Sequence, residues 1–425
     1  MRNRSFHRRC IRYIVIIYAL FIAFDALAVD RRRDQSQRDI SYAFMPYAMQ
    51  IPGIGGFYGL AAAANNMFET ESDMYLATMI GDLHGYTGGL FDVPLPNEYI
   101  TLHYFTTNFS KASVESYGRG MDSKKEDMKM LFADKVLYNG YAINIKAWDK
   151  RFQLYSTRGS GKVNPTQIYD NEGNLIADIT GEETAFESSD YGVLIDYTDD
   201  RADPRKGLRL EWRNASSKAK SDFDPEYYRV DQSATAFLPI TDSAYWTFNL
   251  FGSDAVVTRE GETDRNLISA RIGIDCTQIP DATQKTACEA SLTEQIDQAE
   301  AANRYGTASS LGGINFLRAY PEGRYYAAHT RFYGTEFRWN FNEGNEPFDL
   351  FLMKGIRTIF QLALYYEKGT VADKVEDLGK TWRSATGVGF RVLLTSGFVF
   401  RLDVGTGEEG TATTLFFNYP WVLLN

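Results

Sequence analysis

A period-two alternation recurs along this chain, and it sets large apolar residues against charges of both signs. Leu208, Leu210 and Trp212 alternate with Arg209, Glu211 and Arg213. Trp246, Phe248 and Leu250 face opposite to Thr247 and Asn249; Ile268, Ile272 and Ile274 oppose Arg271 and Asp275; Phe398, Phe400 and Leu402 oppose Arg401 and Asp403. Period two places one set on each face of a sheet. A β-sandwich alternates as well, so the pattern needs a second constraint. The apolar faces keep large aromatics while the opposite faces carry both charge signs, which suits a barrel with a lipid-facing exterior and a wet interior. Aromatics at 14% of 425 residues supply such an exterior. Only the extreme N-terminus has a long apolar run, so a helical membrane bundle is excluded.

That N-terminal run reads as a signal peptide over residues 1–28. Arg2, Arg4, Arg8, Arg9 and Arg12 form a basic region, residues 13–24 an apolar core, and Ala26-Leu27-Ala28 a small-x-small cleavage site. Cleavage removes five arginines and one aspartate, taking the net charge from −10 to −14. So acidic a chain lacks the basic footprint that nucleic acid requires. Cys10 falls in the signal segment. Cys276 and Cys288 remain, a close pair that fits one disulfide in an oxidising compartment or two separate thiols. Neither has metal-ligand spacing.

Residues 29–52 read as a short lead-in, and 53–425 as the barrel. Strand-like text appears at 54–60, 74–80, 99–109, 140–148, 152–158, 191–198 and 208–214, and again at 331–341, 356–367, 384–394, 397–405 and 412–421. Residues 119–135 are dense in charge and read as a loop; Asp170-Asn171-Glu172-Gly173 reads as the turn of a protruding hairpin. Residues 281–305 break the alternation, with Cys288, Leu292, Ile296 and Ala299 at helical spacing, and read as a helical loop insertion. The expected fold is all-β, a transmembrane antiparallel barrel of about sixteen strands.

A loop at 311–324 stands out. It carries Gly312-Gly313, a lone Arg318 among apolar residues, Tyr320, and a Pro321-Glu322-Gly323 turn. Residues 335–341 follow with strictly alternating charged and aromatic residues. An arginine in a confined lumen needs a carboxylate, which its planar fork binds bidentately.

These residues resemble the bacterial surface antigen barrels, the BamA/TamA-type outer-membrane assembly superfamily. Gly312-Gly313 with Leu317-Arg318-Ala319-Tyr320 is similar to the family's Gly-Gly and Val/Leu-Arg-Gly-Phe/Tyr loop, with Ala319 where the family has glycine. Glu336-Phe337-Arg338 is similar to its Glu-Tyr-Arg strand. The segment 363–369 resembles its Phe-x-Asp-x-Gly strand end, with Glu367 in place of Asp. Gly387-Val388-Gly389-Phe390-Arg391 and Arg401-Leu402-Asp403 resemble its last strands, and Asp199-Asp200-Arg201 before Pro204-Arg205-Lys206-Gly207 its Asp-Arg-Asp hairpin. The resemblance covers residues 191–421. It implies an inward-folded loop, turned by Gly312, Gly313, Tyr320 and Gly323, whose Arg318 pairs with Glu336 or Asp403. The short stretch before the first strand is expected to leave no room for the family's periplasmic domains. Pro420, near the chain end, is expected at a strand end or an unpaired edge.

The resemblance implies a protein of the bacterial cell outer membrane that assists protein insertion or translocation. Its partners would be outer-membrane lipid, client outer-membrane or secreted proteins, and a separate periplasmic component. The alternative is a passive channel or structural barrel that kept the fold; inward Arg209, Glu211, Arg213, Arg271 and Arg391 suit a polar lumen. A hydrolase is disfavoured, since the mature histidines are His84, His103 and His329 and no nucleophile-elbow motif marks a serine. No phosphate-binding glycine loop or metal cluster occurs, so no cofactor is implied.

Overall fold

The computed structural model describes residues 29–32, 40–178, 183–278, 282–341, 348–350, 353–356, 358–394 and 399–423. The signal-peptide segment lies outside them. Among the described residues the chain forms a closed antiparallel barrel of sixteen strands. In chain order these are β1 Ser41–Ile51, β2 Gly55–Met67, β3 Ser72–Gly81, β4 His84–Pro94, β5 Ile100–Ser116, β6 Lys129–Ala147, β7 Phe152–Tyr169 and β8 Thr184–Thr198. Then follow β9 Gly207–Ser217, β10 Glu226–Pro239, β11 Ala244–Arg259, β12 His329–Asn340, β13 Thr358–Ala372, β14 Arg383–Leu394, β15 Val399–Gly407 and β16 Gly410–Phe417. Each pairs with the next, and an even number of strands puts both termini at one mouth.

The outer surface is an apolar belt. Tyr58, Leu60, Leu76, Leu90, Tyr104, Tyr141, Ile143, Phe248, Leu250, Leu364, Tyr366 and Val388 all lie exposed. Residues of the opposite parity point inward, and on the later strands they are fully buried, as with Glu336, Glu367, Arg391 and Asp403. Such a belt is stable only against lipid.

Closure is uneven. β1 pairs with β2 along its whole length, Ser41 with Asn65 through Ile51 with Gly55. Its other edge meets β16 at one registered pair, Gln50 with Leu415. Pro46 in β1 has no N–H to offer, and proline belongs on a weakly paired edge.

Several expectations need correction. The first strand, Ser41–Ile51, lies inside the stretch expected as lead-in; Pro46 and interspersed polar residues hid it. β2 runs past the expected 54–60 through the alanine run 61–64. β5, β6 and β7 run to 17, 19 and 18 residues, so β6 reclaims the charged text from Lys129 onward. A membrane strand needs roughly 9–11 residues, so these three project beyond the bilayer at the mouth away from the termini. The turn at 170–174 does end a protruding hairpin, with Leu175–Asp178 returning against β7.

The largest error is at 268–275. This segment is not a strand but a helix, α1 Arg265–Ile272, with Asp264 accepting from the Asn266 N–H at its start and Gly273 at φ 73° ending it. Arg271 therefore does not face the lumen; its guanidinium lies 4.8 Å over the Phe223 ring. α2 Ala282–Tyr305 follows, over the stretch read as a helical insertion, and Cys276 is bonded to Cys288 at its base.

The seam yields a test. Opposed residues in an antiparallel ladder sit about 4.5–5.5 Å apart at Cα, within disulfide reach. Gln50→Cys with Leu415→Cys should give a reductant-sensitive cross-link between β1 and β16, read as a mobility shift on a denaturing gel. Absence of that cross-link under oxidising conditions would contradict the register.

Candidate functional site

The connection between β11 and β12 leaves the barrel, forms α1 and α2, and then turns back inside. Its inward part is bonded to itself. Leu311 bridges Tyr325, the Gly312 N–H donates to the Phe316 carbonyl at 2.8 Å, and the Gly313 N–H to the Tyr320 carbonyl at 2.8 Å. Gly312 and Gly313 have φ of 111° and 83°, and a Cβ on Gly312 would sit 1.9 Å from the Pro321 oxygen. Only glycine fits that approach. Gly323, at φ 71°, turns the Pro-Glu-Gly segment, and the Glu322 N–H donates to the Pro52 carbonyl at 2.7 Å.

Ala319, where glycine was expected, needs no special conformation. Leu317 takes the left-handed one instead, at φ 51°. Close approach to the wall is provided from the other side, by Gly405 on β15. A Cβ there would stand 3.0 Å from the Arg318 carbonyl and 3.2 Å from the Ala319 nitrogen.

Arg318 is fully buried and three carboxylates surround it. Its Nη2 donates to Glu336 at 2.9 Å, its Nη1 to Asp403 at 2.9 Å, and its Nε to Glu367 at 2.8 Å. The Arg318 backbone N–H also donates to Glu367, at 2.8 Å. The guanidinium lies 3.6 Å over the Tyr365 ring, which adds a cation–π contact. Both carboxylates named from the sequence, Glu336 and Asp403, are thus partners. Glu367 is a third that sequence reasoning missed, although its parity with Gln361 and Tyr365 puts it on the inward face of β13.

The surrounding wall is also charged. Glu336 accepts from Arg338 at 2.5 Å and from Arg391 at 2.7 Å, and Arg401 stands 3.5 Å from Asp403. Four buried arginines therefore share three carboxylates. Burying such groups is costly, and mutual pairing is what offsets that cost. Tyr320 extends the set by donating to the Ser384 carbonyl at 3.1 Å, and Arg324 grips Glu409 at 2.8 and 2.6 Å.

A second segment enters from the opposite mouth. Beyond β16 the backbone reverses at Asn418, φ 70°, and carries Tyr419 and Trp421 into the lumen, both buried. The Trp421 indole N–H donates to Glu367 at 3.0 Å, and its ring covers Gly334, where a Cβ would stand 2.6 Å away. Tyr419 lies 4.3 Å from the Arg338 guanidinium and donates to Asp203 at 2.9 Å. This corrects the strand expected over 412–421, which stops at Phe417. Pro420 falls in the tail.

Asp203 lies in the turn between β8 and β9. Burial pushes its carboxyl up, but Arg205 and Arg32, with the Tyr419 hydroxyl, hold it below the usual aspartate range. Other inward positions are paired locally: Arg209 with Asp196 at 3.0 Å and Arg213 with Asp231 at 2.6 Å. His103 meets Asp92 at 3.1 Å and His329 meets Asp254 at 2.7 Å, while His84 is exposed. No cluster of three metal-ligating side chains occurs among the described residues.

No family model matches the chain, and no curated protein does. Among solved structures it is similar to BamA from Haemophilus ducreyi lacking POTRA domains 1–3, with TM-score 0.49 and 10% identity over 90% of this chain and 71% of that one. It is also similar to CdiB from Escherichia coli, at TM-score 0.47 and 10% identity, and to CdiB from Acinetobacter baumannii, at 0.47 and 12%. Each comparison covers 90% of this chain, but only 62% and 60% of the two CdiB chains.

Two outcomes follow from the site. Removing one member of a buried charged set typically costs about 3–5 kcal/mol. Arg318→Ala should therefore lower the temperature at which the folded, fast-migrating gel band is lost, and Arg318→Lys should not restore it, because one ammonium cannot span three carboxylates. Unchanged migration would contradict this. The depressed Asp203 makes its share of tail docking present above the unfolded aspartate pKa of about 3.9 and lost as pH falls through the folded value. Carboxypeptidase resistance of the tail should hold from about pH 8 to 5 and fail only below about 3.9; loss near neutrality would exclude Asp203 as the anchor.

Proposed function

We propose that this chain is an integral outer-membrane barrel of the surface antigen superfamily and assists insertion or translocation of proteins. The observation that carries the reading is the inward loop. Arg318 reaches three carboxylates on β12, β13 and β15, and all three lie in the strand segments that resemble that family. The apolar exterior supports residence in a bilayer. The single registered pair between β1 and β16 supports a wall that opens sideways at low cost. Partners on this reading are outer-membrane lipid, client chains that enter through the seam, and a separate periplasmic component that delivers them. A passive channel is the competing function of the same fold, and the loop and tail that fill the lumen disfavour it.

The test is reconstitution into liposomes, following the folding of an unrelated outer-membrane barrel against empty liposomes. The proposal expects acceleration, and loss of that acceleration when the Gln50→Cys and Leu415→Cys pair is oxidised. Ion leakage without acceleration would replace the insertase with a channel.

A further inference from the structure

The lumen has two unlike halves. The wall from β9 to β16 is charged and is filled by the loop and the tail. The inward face of β3–β8 instead carries a row of rings. Tyr75 stacks on Phe91 at 5.3 Å and Phe91 meets His103 at 5.4 Å. Two residues along β5, Phe105 meets Tyr138 at 5.6 Å, and Tyr138 stacks on Phe186 at 5.9 Å with 9° between the planes. The row crosses six strands.

Glycines make room for four of these rings to lie against the wall, one on the same strand as its ring and three on the neighbouring strand. A Cβ would stand 2.8 Å from the Phe91 ring at Gly89, 2.4 Å from Phe105 at Gly140, 2.2 Å from the Tyr138 hydroxyl at Gly159 and 2.4 Å from Phe186 at Gly161. One face of each ring rests on backbone and the rings stay half-buried. None of them belongs to the apolar clusters that the loop and tail form; Ile314 of the loop packs instead on the wall of Tyr47, Met49, Phe57 and Met79.

Hydroxyl pairs flank the row, Thr87 with Thr107 at 3.0 Å and Tyr138 with Ser188 at 2.7 Å. Of the charges beside it, Asp92 pairs with Lys146, and Asp73, opposite Phe91, accepts from the Asn66 N–H. An ion gains nothing from such a wall. An extended peptide would need free backbone donors and acceptors, and here the ladders use them. We infer that this row is a binding track for a neutral oligosaccharide, whose C–H faces stack on the exposed rings while its hydroxyls exchange hydrogen bonds with the flanking Thr, Ser and Tyr groups. It is independent of the insertase reading.

The test is calorimetric titration of the detergent-solubilised full chain with α- and β-linked neutral hexasaccharides, and with an unstructured peptide of equal length. Phe105→Leu and Tyr138→Leu, made singly, keep the apolar volume but remove a ring face. The inference expects binding of at least one hexasaccharide, weakened roughly tenfold by either substitution, about the value of one stacked ring. Outward-facing Tyr104→Leu and Tyr141→Leu should leave it unchanged, with all four variants showing the folded band. No saccharide binding, binding indifferent to Phe105 and Tyr138, or binding of the peptide alone would overturn it.

Discussion

One carboxylate, Glu367, holds two segments that enter the barrel from opposite mouths. It accepts from the side chain and the backbone of Arg318 on the loop, and from the Trp421 indole on the tail. The loop cannot leave without taking one cationic partner from each of Glu336 and Asp403 as well, and the tail cannot leave without uncovering Gly334. The lumen is therefore filled by a structure whose two halves depend on a shared acceptor. Buried ion clusters contribute little net stability against an apolar alternative, but they tolerate few arrangements. Geometry is what this one supplies.

The same requirement orders the barrel around it. β12 to β15 must present their charges inward at matched heights, so their outward residues are left apolar for lipid. β1 to β8 meet the plug through apolar contacts around Tyr47, Met49 and Phe57 and through hydrogen bonds at their connections, such as Glu322 to Pro52 and Tyr326 to Tyr117, and much of their wall is left for rings and hydroxyls. The seam between β1 and β16 joins these two regions, and its ladder is minimal.

Much of this was legible in the chain. The alternation at 208–214 and 399–403 reports true sheet faces, and Arg318 with its inward acidic neighbours could be named before any coordinates. The alternation at 268–275 misled because Ile268 and Ile272 also fit helical spacing; the readable signals were Asp264 as cap and Gly273 as stop. Glu367 was seen as a strand-end residue and not as a ligand, because one sequence does not set the height of β13 against the loop. The tail was hidden for a different reason. Its aromatics look like strand residues, and only the missing donor at Pro420 hints that the ladder ends first. The left-handed Leu317 has no sequence signal at all, being a consequence of how tightly the loop meets Gly405.

Hydrogen exchange on a Glu367→Gln variant tests the shared-acceptor account most directly. A neutral amide keeps the size of the side chain but loses the charge that Arg318 requires and one of its acceptor oxygens. The account predicts that peptides covering 311–324 and 418–423 lose protection together while the strands of β5 to β8 keep theirs. Loss in only one of the two segments, or in neither, would show that loop and tail are anchored independently and would contradict it.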